Sequence, residues 1–363
     1  MARRPFRQVW DFLTRLKVAA VLVLILLLLA ALGSCFPQIP PPAAVDAEQL
    51  AQWEAHVQAR YGVLRDLLGA VRVFRWFKSP VFLVPLVLLA VVTLMCTLDR
   101  WRVVCRRAFR SPVSGSDAVF TAAPHTSRLT GLPAADLPCI VRECLRQRGF
   151  RVRSARSGDV INLRGERNQL ATLATLVTHL ALLFLLLGAG LSYGWGWREG
   201  FIIEPDESVE VGHGSSLALR NDGFSISRYP DGSVSTYQAQ VAVLRGGQEV
   251  KRGSVWVNQP LTCDSVGVYL QGYQGGGNRY SVTLLAVHDP GYGWVIAAMF
   301  VLLASTTVTL NFPRGWIEAR IEAGGLLRLA GWAERHAFDF EREFAALVRE
   351  LSHWAVSTQE DVV

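Results

Sequence analysis

The sequence predicts an integral membrane protein with four transmembrane α-helices. An exoplasmic β-rich domain follows helix 3, and a small cytoplasmic α+β module follows helix 2. The 363-residue chain is 51% apolar, and its mean hydropathy is +0.26. Its apolar residues are concentrated in four runs, each about long enough to cross a bilayer core of ~30 Å. The segment between the last two runs instead contains short β-branched and aromatic stretches, spaced like the strands of a β domain.

The four apolar runs define the predicted spans. The last run is the shortest, but the hydroxyls of Ser305 to Thr309 can bond to the helix backbone or a neighbouring helix, so it is predicted to span. The first run resembles a secretory signal, because Leu32 to Cys35 is similar to a lipoprotein cleavage site. Its length and the orientation that the second run requires favour an uncleaved helix. The predicted spans are residues 18–36, 81–98, 170–193 and 294–310.

The distribution of basic residues predicts the side of the membrane on which each loop lies, because cytoplasmic loops carry an excess of lysine and arginine. Residues 99–169 hold fourteen arginines against six acids, and residues 194–292 hold seven basic residues against ten acids. Both termini are therefore predicted to be cytoplasmic. Arg72, Arg75 and Lys78 are less regular, since they lie in a loop predicted outside. The net charge of +7 follows from topology, and no basic stripe alternates with aromatics as a nucleic-acid groove requires.

Hydrophobic periodicity assigns the shorter regions outside the spans. Residues 37–80 are an outer loop, in which residues 47–71 have the spacing of an amphipathic helix along the outer interface. Residues 99–169 are the cytoplasmic α+β module. This module contains a helix at 137–149 and then a hairpin that turns at Ser157-Gly158.

Residues 194–292 are the predicted exoplasmic β domain, which is sandwich- or barrel-like. Asp231-Gly232 and Gly246-Gly247 have the composition of hairpin turns. Residues 311–363 are predicted as a cytoplasmic amphipathic tail, whose helix lies on the membrane surface or binds a partner. The apolar face of that helix consists of Phe340, Phe344, Leu347, Val348, Leu351 and Trp354.

The third apolar run contains one ionisable residue, His179. At ~1.5 Å per residue this run extends over about 36 Å, which places His179 near the middle of the membrane. An ionisable group at that depth is costly, so it is a candidate functional residue. Neutral imidazole is a good ligand for iron. The alternative is a histidine that hydrogen-bonds to a neighbouring helix for packing alone.

The sequence offers few other candidates for chemistry. It has six cysteines but no Cys-x-x-Cys pair, and Cys35 and Cys263, both predicted outside, are either bridged or unrelated thiols. The predicted β domain lacks paired carboxylates and a Ser-His-Asp spacing. His213 and His288 are far apart in sequence, so they do not indicate a metal cluster. His288 is a minor candidate because it lies just before the fourth span.

Several stretches, taken in order, resemble the ResB family of integral membrane proteins for cytochrome c biogenesis by system II. The first helix ends at Gly33 before Pro37-Gln38, the third contains His179 and Gly188, and Asp289-Pro290-Gly291 precedes the last. The resemblance covers nearly the whole chain. Further matching positions are Ser79, Phe82, Cys96, Arg100, Tyr229-Pro230-Asp231-Gly232, Asn258, Pro260, Leu261, Gly267 and Gln271.

The resemblance implies a subunit in a bacterial inner membrane that helps to carry or hold haem b and presents apocytochrome c for haem attachment on the outer face. Implied partners are a haem-handling membrane subunit with a tryptophan-rich outer motif, apocytochrome c and thioredoxin-like reductants. Because Trp195 and Trp197 fit an interfacial belt rather than that motif, we expect no catalysis by the chain alone. His179 is then the candidate axial ligand of the haem iron, and His288 is a lesser candidate.

Two other functions remain open. The protein is a structural subunit without haem contact, in which His179 serves packing, or a membrane sensor whose outer domain binds a ligand. Haem absorbance of the isolated chain distinguishes the first alternative, and no kinase, cyclase or DNA-binding signature supports the second. The haem hypothesis predicts that Thr172, Thr175 or Leu176, and His179 share a small, polar face of the third helix.

Overall fold

The computed structural model describes residues 3–39, 47–109, 113, 116–131, 136–276, 279–334 and 340–360. The chain divides into two compact units. The first unit comprises Met1–Val92 and Leu183–Ala297, and the second comprises Thr93–Leu182 and Ala298–Val363. The boundaries between the units fall inside three long helices.

The described chain contains α-helices and β-strands with the following bounds. The α-helices are α1 (Arg3–Leu13), α2 (Leu16–Ser34), α3 (Ala47–Tyr61), α4 (Leu64–Ala70), α5 (Pro80–Phe109), α6 (Asp117–Ala122), α7 (Leu137–Gln147), α8 (Thr172–Trp195), α9 (Tyr292–Asn311) and α10 (Phe340–Glu360). The strands are β1 (His125–Leu129), β2 (Arg151–Ser157), β3 (Val160–Arg167), β4 (Trp197–Ile203), β5 (Ser208–Glu210), β6 (Leu217–Arg228), β7 (Val234–Arg245), β8 (Gln248–Trp256), β9 (Leu261–Cys263), β10 (Val266–Gly276), β11 (Arg279–His288), β12 (Gly315–Glu322) and β13 (Leu326–Ala333).

Four helical segments in the described part of the chain are long and apolar enough to cross a membrane, by length and composition. They contain α2, α5, α8 and α9, and this number confirms the prediction of four candidate spans. Only 11–22% of the most apolar stretch of each segment is buried inside the protein. Helices with such exposed apolar surfaces are stable where lipid covers them.

The segment before α5 differs from its prediction, because the single amphipathic helix expected over residues 47–71 is split into α3 and α4. The break contains Gly62, whose φ of +51° is a left-handed conformation that ends helices. On α3, Trp53 packs edge-on against Phe74, with ring centroids 5.5 Å apart. The apolar face of α3 is therefore covered by the protein itself at this point.

The β-rich part of the first unit contains two four-stranded antiparallel sheets, in the orders β4-β11-β10-β9 and β5-β6-β7-β8. Both predicted hairpin turns are confirmed. The first joins β6 to β7, and Gly232 within it has a φ of +84°. The second joins β7 to β8 through Gly246 and Gly247, which have φ angles of +56° and +80°.

A fully buried amide, Asn221, links these two sheets. The sheets share one cluster of buried apolar residues. The Asn221 side chain donates from Nδ2 to the carbonyl oxygens of Ile203 and Tyr280, at 3.1 Å each, and accepts from the backbone N–H of Gly223 at 3.1 Å. Ile203 and Tyr280 belong to one sheet and Asn221 to the other, so the amide joins them with its polar atoms satisfied and without a buried charge.

The second unit contains a five-stranded sheet in the order β1-β13-β12-β3-β2. The structure corrects the predicted tail at 311–363, because its first part forms the hairpin β12–β13 within this sheet. Buried Ile317, Ala319 and Ile321 alternate along β12, which is a strand pattern. Gly324, with a φ of +81°, belongs to the turn that follows.

Helix α10 also differs from its prediction as a surface helix. Its Phe344, Leu347 and Leu351 are buried in one apolar cluster with Leu145 of α7 and Leu163 of β3. Burying such a side chain contributes roughly 1.5–3 kcal/mol. The apolar face of α10 therefore belongs to the core of the second unit.

Successive side chains of a strand point to opposite faces. The apolar residues of β3 and β12 face the core, and charged residues on the opposite face form buried ion pairs. Glu166 accepts from Arg314 at 2.7 Å and from Arg164 at 2.9 Å, and Arg164 also pairs with Glu318. Burial alone would raise the pKa of Glu166, but its two arginines outweigh burial and lower it. Burial raises the pKa of Glu318, whose one ion pair among the described residues is with Arg164. The pKa values of two nearby carboxyl groups are therefore shifted in opposite directions.

Candidate functional site

His179 lies on α8 within the second unit, where it is half-buried. The apolar segment that contains it runs from Gln169 to Trp195, so His179 is about 5 Å from the midpoint at ~1.5 Å per residue. The His179 Nδ1 atom is 3.3 Å from the hydroxyl oxygen of Thr97 on α5. Thr97 is only 2% exposed. At Nδ1, the imidazole therefore meets a buried hydroxyl of a neighbouring apolar helix.

Thr97 determines the tautomer of the neutral His179 ring. The Thr97 hydroxyl donates its only proton to the carbonyl oxygen of Thr93, at 2.7 Å. It can then only accept from the imidazole, so the hydrogen-bond network assigns the ring proton to Nδ1. The Nε2 atom keeps its lone pair, and no hydrogen bond to it occurs among the residues that the structure describes. This tautomer is the one in which Nε2 can bind a metal.

The polar face predicted for the third helix is only partly present. Thr175 is exposed and Leu176 is buried, so these two positions do not extend a polar surface from His179. Sequence reasoning missed Thr178, whose hydroxyl oxygen is 2.9 Å from that of Ser305 on α9. It also missed Thr97, although two threonines one turn apart in an apolar helix could have indicated it.

The residues around His179 would fit the iron of a haem, with Nε2 of His179 as the donor atom. No group of three or more metal-ligating side chains occurs in the part of the chain that the structure describes. A bare metal ion would need such a group, whereas haem iron already has four equatorial nitrogen ligands and needs only axial ones. The available Nε2 and the apolar surface of α8 suit the iron and the ring, respectively.

A second candidate site is a cavity of about 640 Å³ within the first unit. This volume is typical of small-molecule sites. Aromatic residues on its wall are Phe74, Phe77 and Trp197, and its cations are Arg75, Lys78 and Arg198. Within the described ranges, these three cations form no ion pair with an acidic residue. Two of the three basic residues that precede α5, Arg75 and Lys78, therefore line a cavity.

His288 lines this cavity, and its tautomer is also determined by its neighbours. Its Nδ1 atom is 3.2 Å from the carbonyl oxygen of Ser265, which can only accept, so the ring proton is assigned to Nδ1. The Ser265 hydroxyl lies at the same distance from Nδ1. The Nε2 atom of His288 is consequently available as an acceptor or a metal ligand.

The structure brings together three residues that the sequence treated separately. Trp197 stacks on His213, with ring centroids 4.6 Å apart, and on His288, with centroids 5.8 Å apart. Nε2 of His213 contacts a carboxylate oxygen of Glu199 at 2.5 Å. Trp197 thus positions the wall of the cavity as well as fitting an interfacial belt. No spacing in the sequence could indicate this stack, because three different strands and loops contribute to it.

The motif before the last helix holds that helix against α8 in the first unit. Asp289 accepts from the Ser192 hydroxyl at 2.5 Å and from the Gly291 backbone N–H at 3.2 Å. A Cβ atom on Gly291 would lie 1.9 Å from the carbonyl oxygen of Gly188, so only glycine fits there. Asp289 and Gly291, which match the family pattern, therefore hold the start of α9 against α8, directly after His288 in the sequence.

A second motif joins the end of α2 to the 3₁₀ helix Val73–Lys78, which contributes to the cavity wall. Gln38 donates from Nε2 to the carbonyl oxygens of Gly33 and Val73, at 3.0 and 3.1 Å, and accepts from the Trp76 backbone N–H at 3.0 Å. A Cβ atom on Gly33 would lie 2.2 Å from the Trp76 ring. Gly33 and Gln38 therefore position the segment that carries Arg75 and Lys78.

The cysteines do not form a redox pair in this structure. Cys35 and Cys263, the pair that the sequence left open, are both free thiols. In the second unit, burial and a hydrogen bond to Glu350 raise the pKa of the Cys144 thiol to about 11. A thiol with that pKa is protonated and unreactive at neutral pH.

The family model and the curated relatives point to one family. A model of the ResB-like family matches residues 16–287. The chain is 28% identical over 285 residues to the cytochrome c biogenesis protein CcsB of Synechococcus sp. (strain JA-3-3Ab), which covers 74% of this chain and 55% of that protein. It is 23% identical over 302 residues to the cytochrome c biogenesis protein ResB of Bacillus subtilis (strain 168), with coverages of 74% and 53%.

The chain thus spans about half the length of the curated relatives that it matches. Among solved structures it is similar to the cytochrome c heme lyase CcmF. That similarity has a TM-score of 0.34 and 14% sequence identity, and it covers 71% of this chain and 44% of the other.

Proposed function

Because this chain belongs to the ResB-like family, we propose that it is a membrane subunit of cytochrome c biogenesis that holds haem b and presents apocytochrome c for haem attachment. The observation that carries the proposal is the pair His179–Thr97, which leaves a metal-binding nitrogen available in an apolar helix. The relatives named CcsB and ResB support the process, and the histidine supports the contact with haem.

In this proposal Nε2 of His179 would hold the haem iron. The Thr97 hydroxyl accepts the hydrogen bond from Nδ1–H of His179 and thereby orients the imidazole plane, as a hydrogen-bond partner of a metal-binding histidine does. The apolar residues of α8 exclude water from the ring. When bound, haem supplies the iron centre and the vinyl groups that become attached to the cytochrome. All other steps are assigned to partners.

The partner we propose is a haem-handling membrane subunit with a tryptophan-rich outer motif, which would supply the other ligand of the iron and the attachment chemistry. His179 is half-buried in this chain, so a second protein can reach the same haem. Thioredoxin-like reductants would act on the cytochrome thiols, because this chain has no Cys-x-x-Cys pair. We propose no catalysis by the chain on its own.

The first unit would contribute a second contact with haem, in the cavity that His288 lines. We propose that its two sheets form a sandwich on the outer side of the membrane and that both chain termini are cytoplasmic, as the arginine distribution favours. The cavity lined by His288, Arg75 and Lys78 would then receive the acidic edge of haem, since its cations suit propionate groups. His288 is the ligand candidate in this cavity.

The proposal is tested by reconstituting cytochrome c biogenesis in a bacterium that lacks its own system. The chain, a tryptophan-rich partner and a c-type apocytochrome are co-expressed, and covalent haem is measured by peroxidase staining of denaturing gels. We expect stained cytochrome only when the chain is present. Equal staining without the chain would contradict the proposal.

A structural subunit without haem contact is the second candidate. It is favoured by one observation: the polar groups of α8 find partners within the chain, as in Thr178 with Ser305. In that case the His179→Ala variant would still support cytochrome staining and would keep the haem content of the purified complex.

A further inference from the structure

The second unit contains a cavity of about 630 Å³ that the proposed haem function does not use. The ends of three candidate spans form one part of it. The other part is formed by the edge strand β2 and by the segment that connects β3 to α8. The cavity therefore lies where apolar helices meet a charged sheet within one compact unit.

The helix ends give this cavity an exposed apolar wall. Phe109 ends α5, Leu170 precedes α8, and Phe312 follows α9. These three side chains are 60%, 56% and 52% exposed, respectively. Large apolar side chains that converge on one concave surface indicate a binding site for an apolar group.

Arginine side chains form the opposite wall. Arg151 and Arg153 are alternate, exposed residues of β2, so they point to the same face of the sheet. Arg151 forms no ion pair with the residues that the structure describes. Arg167 also lines the cavity but makes two hydrogen bonds to Glu343, at 2.8 and 2.7 Å. Arg151 therefore provides positive charge that no acidic residue in the described part of the chain neutralises, and Arg153 adds a second exposed guanidinium to the same wall.

One carboxylate, Glu166, also lines the cavity. It accepts hydrogen bonds from Arg164 and Arg314, which offset its charge. The net charge of the wall therefore remains positive and favours an anion.

We propose that this cavity binds one anionic phospholipid of the adjacent membrane leaflet. Its phosphate lies on Arg151 and Arg153, and the start of its acyl chains lies on Phe109, Leu170 and Phe312. A phospholipid is favoured over a soluble phosphate because the apolar wall continues into helices long enough to span the bilayer. Basic pockets next to transmembrane helices are suited to anionic headgroups.

Native mass spectrometry of the full-length chain in detergent tests the proposal. Phosphatidylglycerol is the probe, and phosphatidylcholine with the same acyl chains is the reference lipid. We expect retention of one phosphatidylglycerol, and about tenfold weaker binding by the double variant Arg151→Gln/Arg153→Gln. The double variant Arg151→Lys/Arg153→Lys should retain binding, because it keeps both charges.

Arg156→Gln is the matched control, since Arg156 is an exposed arginine of the same strand outside the cavity. It should bind phosphatidylglycerol like the unaltered chain. A loss in Arg156→Gln equal to that in the double variant, or equal retention of phosphatidylcholine, would overturn the proposal. Displacement of the lipid by millimolar inorganic phosphate would instead show a site for the soluble anion and would also overturn it.

Discussion

The two units differ in how each surrounds a histidine and in how each buries polar groups. His179 in the second unit contacts one hydroxyl on an apolar helix, whereas His288 in the first unit lines a cavity with three cations. The first unit buries the neutral amide Asn221, and the second buries the ion pairs of Glu166. Both imidazoles nevertheless have the proton on Nδ1 and a lone pair on Nε2.

This difference teaches that the two imidazoles have the same coordination chemistry but different surroundings. An apolar ring suits the surroundings of His179, and an acidic group suits those of His288. It also implies that the stability of the second unit depends on pH through its buried charges, whereas the contribution of the Asn221 amide to the first unit does not depend on pH. The predictions use this contrast, in order of decreasing effect.

The largest effect is expected for Glu166→Gln. This change leaves Arg314 buried with its closest carboxylate removed, and breaking a buried ion pair costs about 3 kcal/mol or more. We expect hydrogen exchange of the β3 amides to become about a hundredfold faster, while the amides of β10 in the first unit are unchanged. Glu318→Gln is the matched control and should have a smaller effect, because its partner Arg164 keeps the hydrogen bond to Glu166. Equal effects of the two variants would contradict this account of the ion pairs.

The second prediction concerns pH. Glu166 has a lowered pKa in the folded state, so its contribution to stability is present above its unfolded pKa of about 4.3 and is lost as the pH falls through the folded value. Glu318 has a raised pKa in the folded state. Its contribution to stability is therefore present below the unfolded pKa and is lost as the pH rises through the folded pKa. In Glu318→Gln, the protection of the β3 amides against hydrogen exchange, corrected for intrinsic exchange rates, should therefore decrease as the pH is lowered past about 4. In Glu166→Gln, protection should instead decrease as the pH rises from that value.

The third prediction compares the hydrogen-bond partners of the two histidines. Thr97→Val removes the acceptor for Nδ1–H of His179, and loss of such a partner typically weakens metal binding about tenfold. Thr97→Ser should restore haem content, because it keeps the hydroxyl. Ser265→Ala should change little, since the backbone carbonyl still accepts from His288. The haem content of each purified complex is measured as pyridine haemochrome, and unchanged content in Thr97→Val would count against the assigned tautomer.

The smallest effect is expected at the exposed cations of the first unit. Arg75→Gln or Lys78→Gln should weaken binding of haemin to the purified chain by a few fold, more so at low salt, because exposed charges each contribute up to about 1 kcal/mol. Arg72→Gln is the control, since Arg72 belongs to the same segment but does not line the cavity. A salt-independent titration, or an equal loss in Arg72→Gln, would remove the role proposed for these cations.

The sequence could predict the parts of the fold that depend on local patterns. The four candidate spans follow from apolar runs, and the hairpin at Gly246-Gly247 follows from turn composition. The strands β12 and β13 are not indicated by the strongest pattern in residues 311–363, which is the apolar face of α10. A weaker strand pattern is nevertheless present, because Ile317 and Ile321 alternate with polar residues. Burial of α10 could not be predicted, since its partner α7 is distant in sequence.

The candidate site could be predicted only for its most unusual residue. His179 is conspicuous because it is the sole ionisable group in its apolar run. Its partner Thr97 is one of several hydroxyl residues in the spans, and only the packing of α5 against α8 in the second unit identifies it. The stack of His213, Trp197 and His288 likewise depends on tertiary contacts.

The haem spectrum of the complex of this chain with the proposed tryptophan-rich partner tests the central claim most directly. In His179→Ala we expect loss of most of the Soret absorbance assigned to the membrane haem, and its recovery on addition of imidazole, which can replace the missing ligand. The control His353→Ala alters an exposed histidine of α10 and should keep the full spectrum. An unchanged Soret maximum and haem content in His179→Ala would contradict the claim that His179 binds the iron.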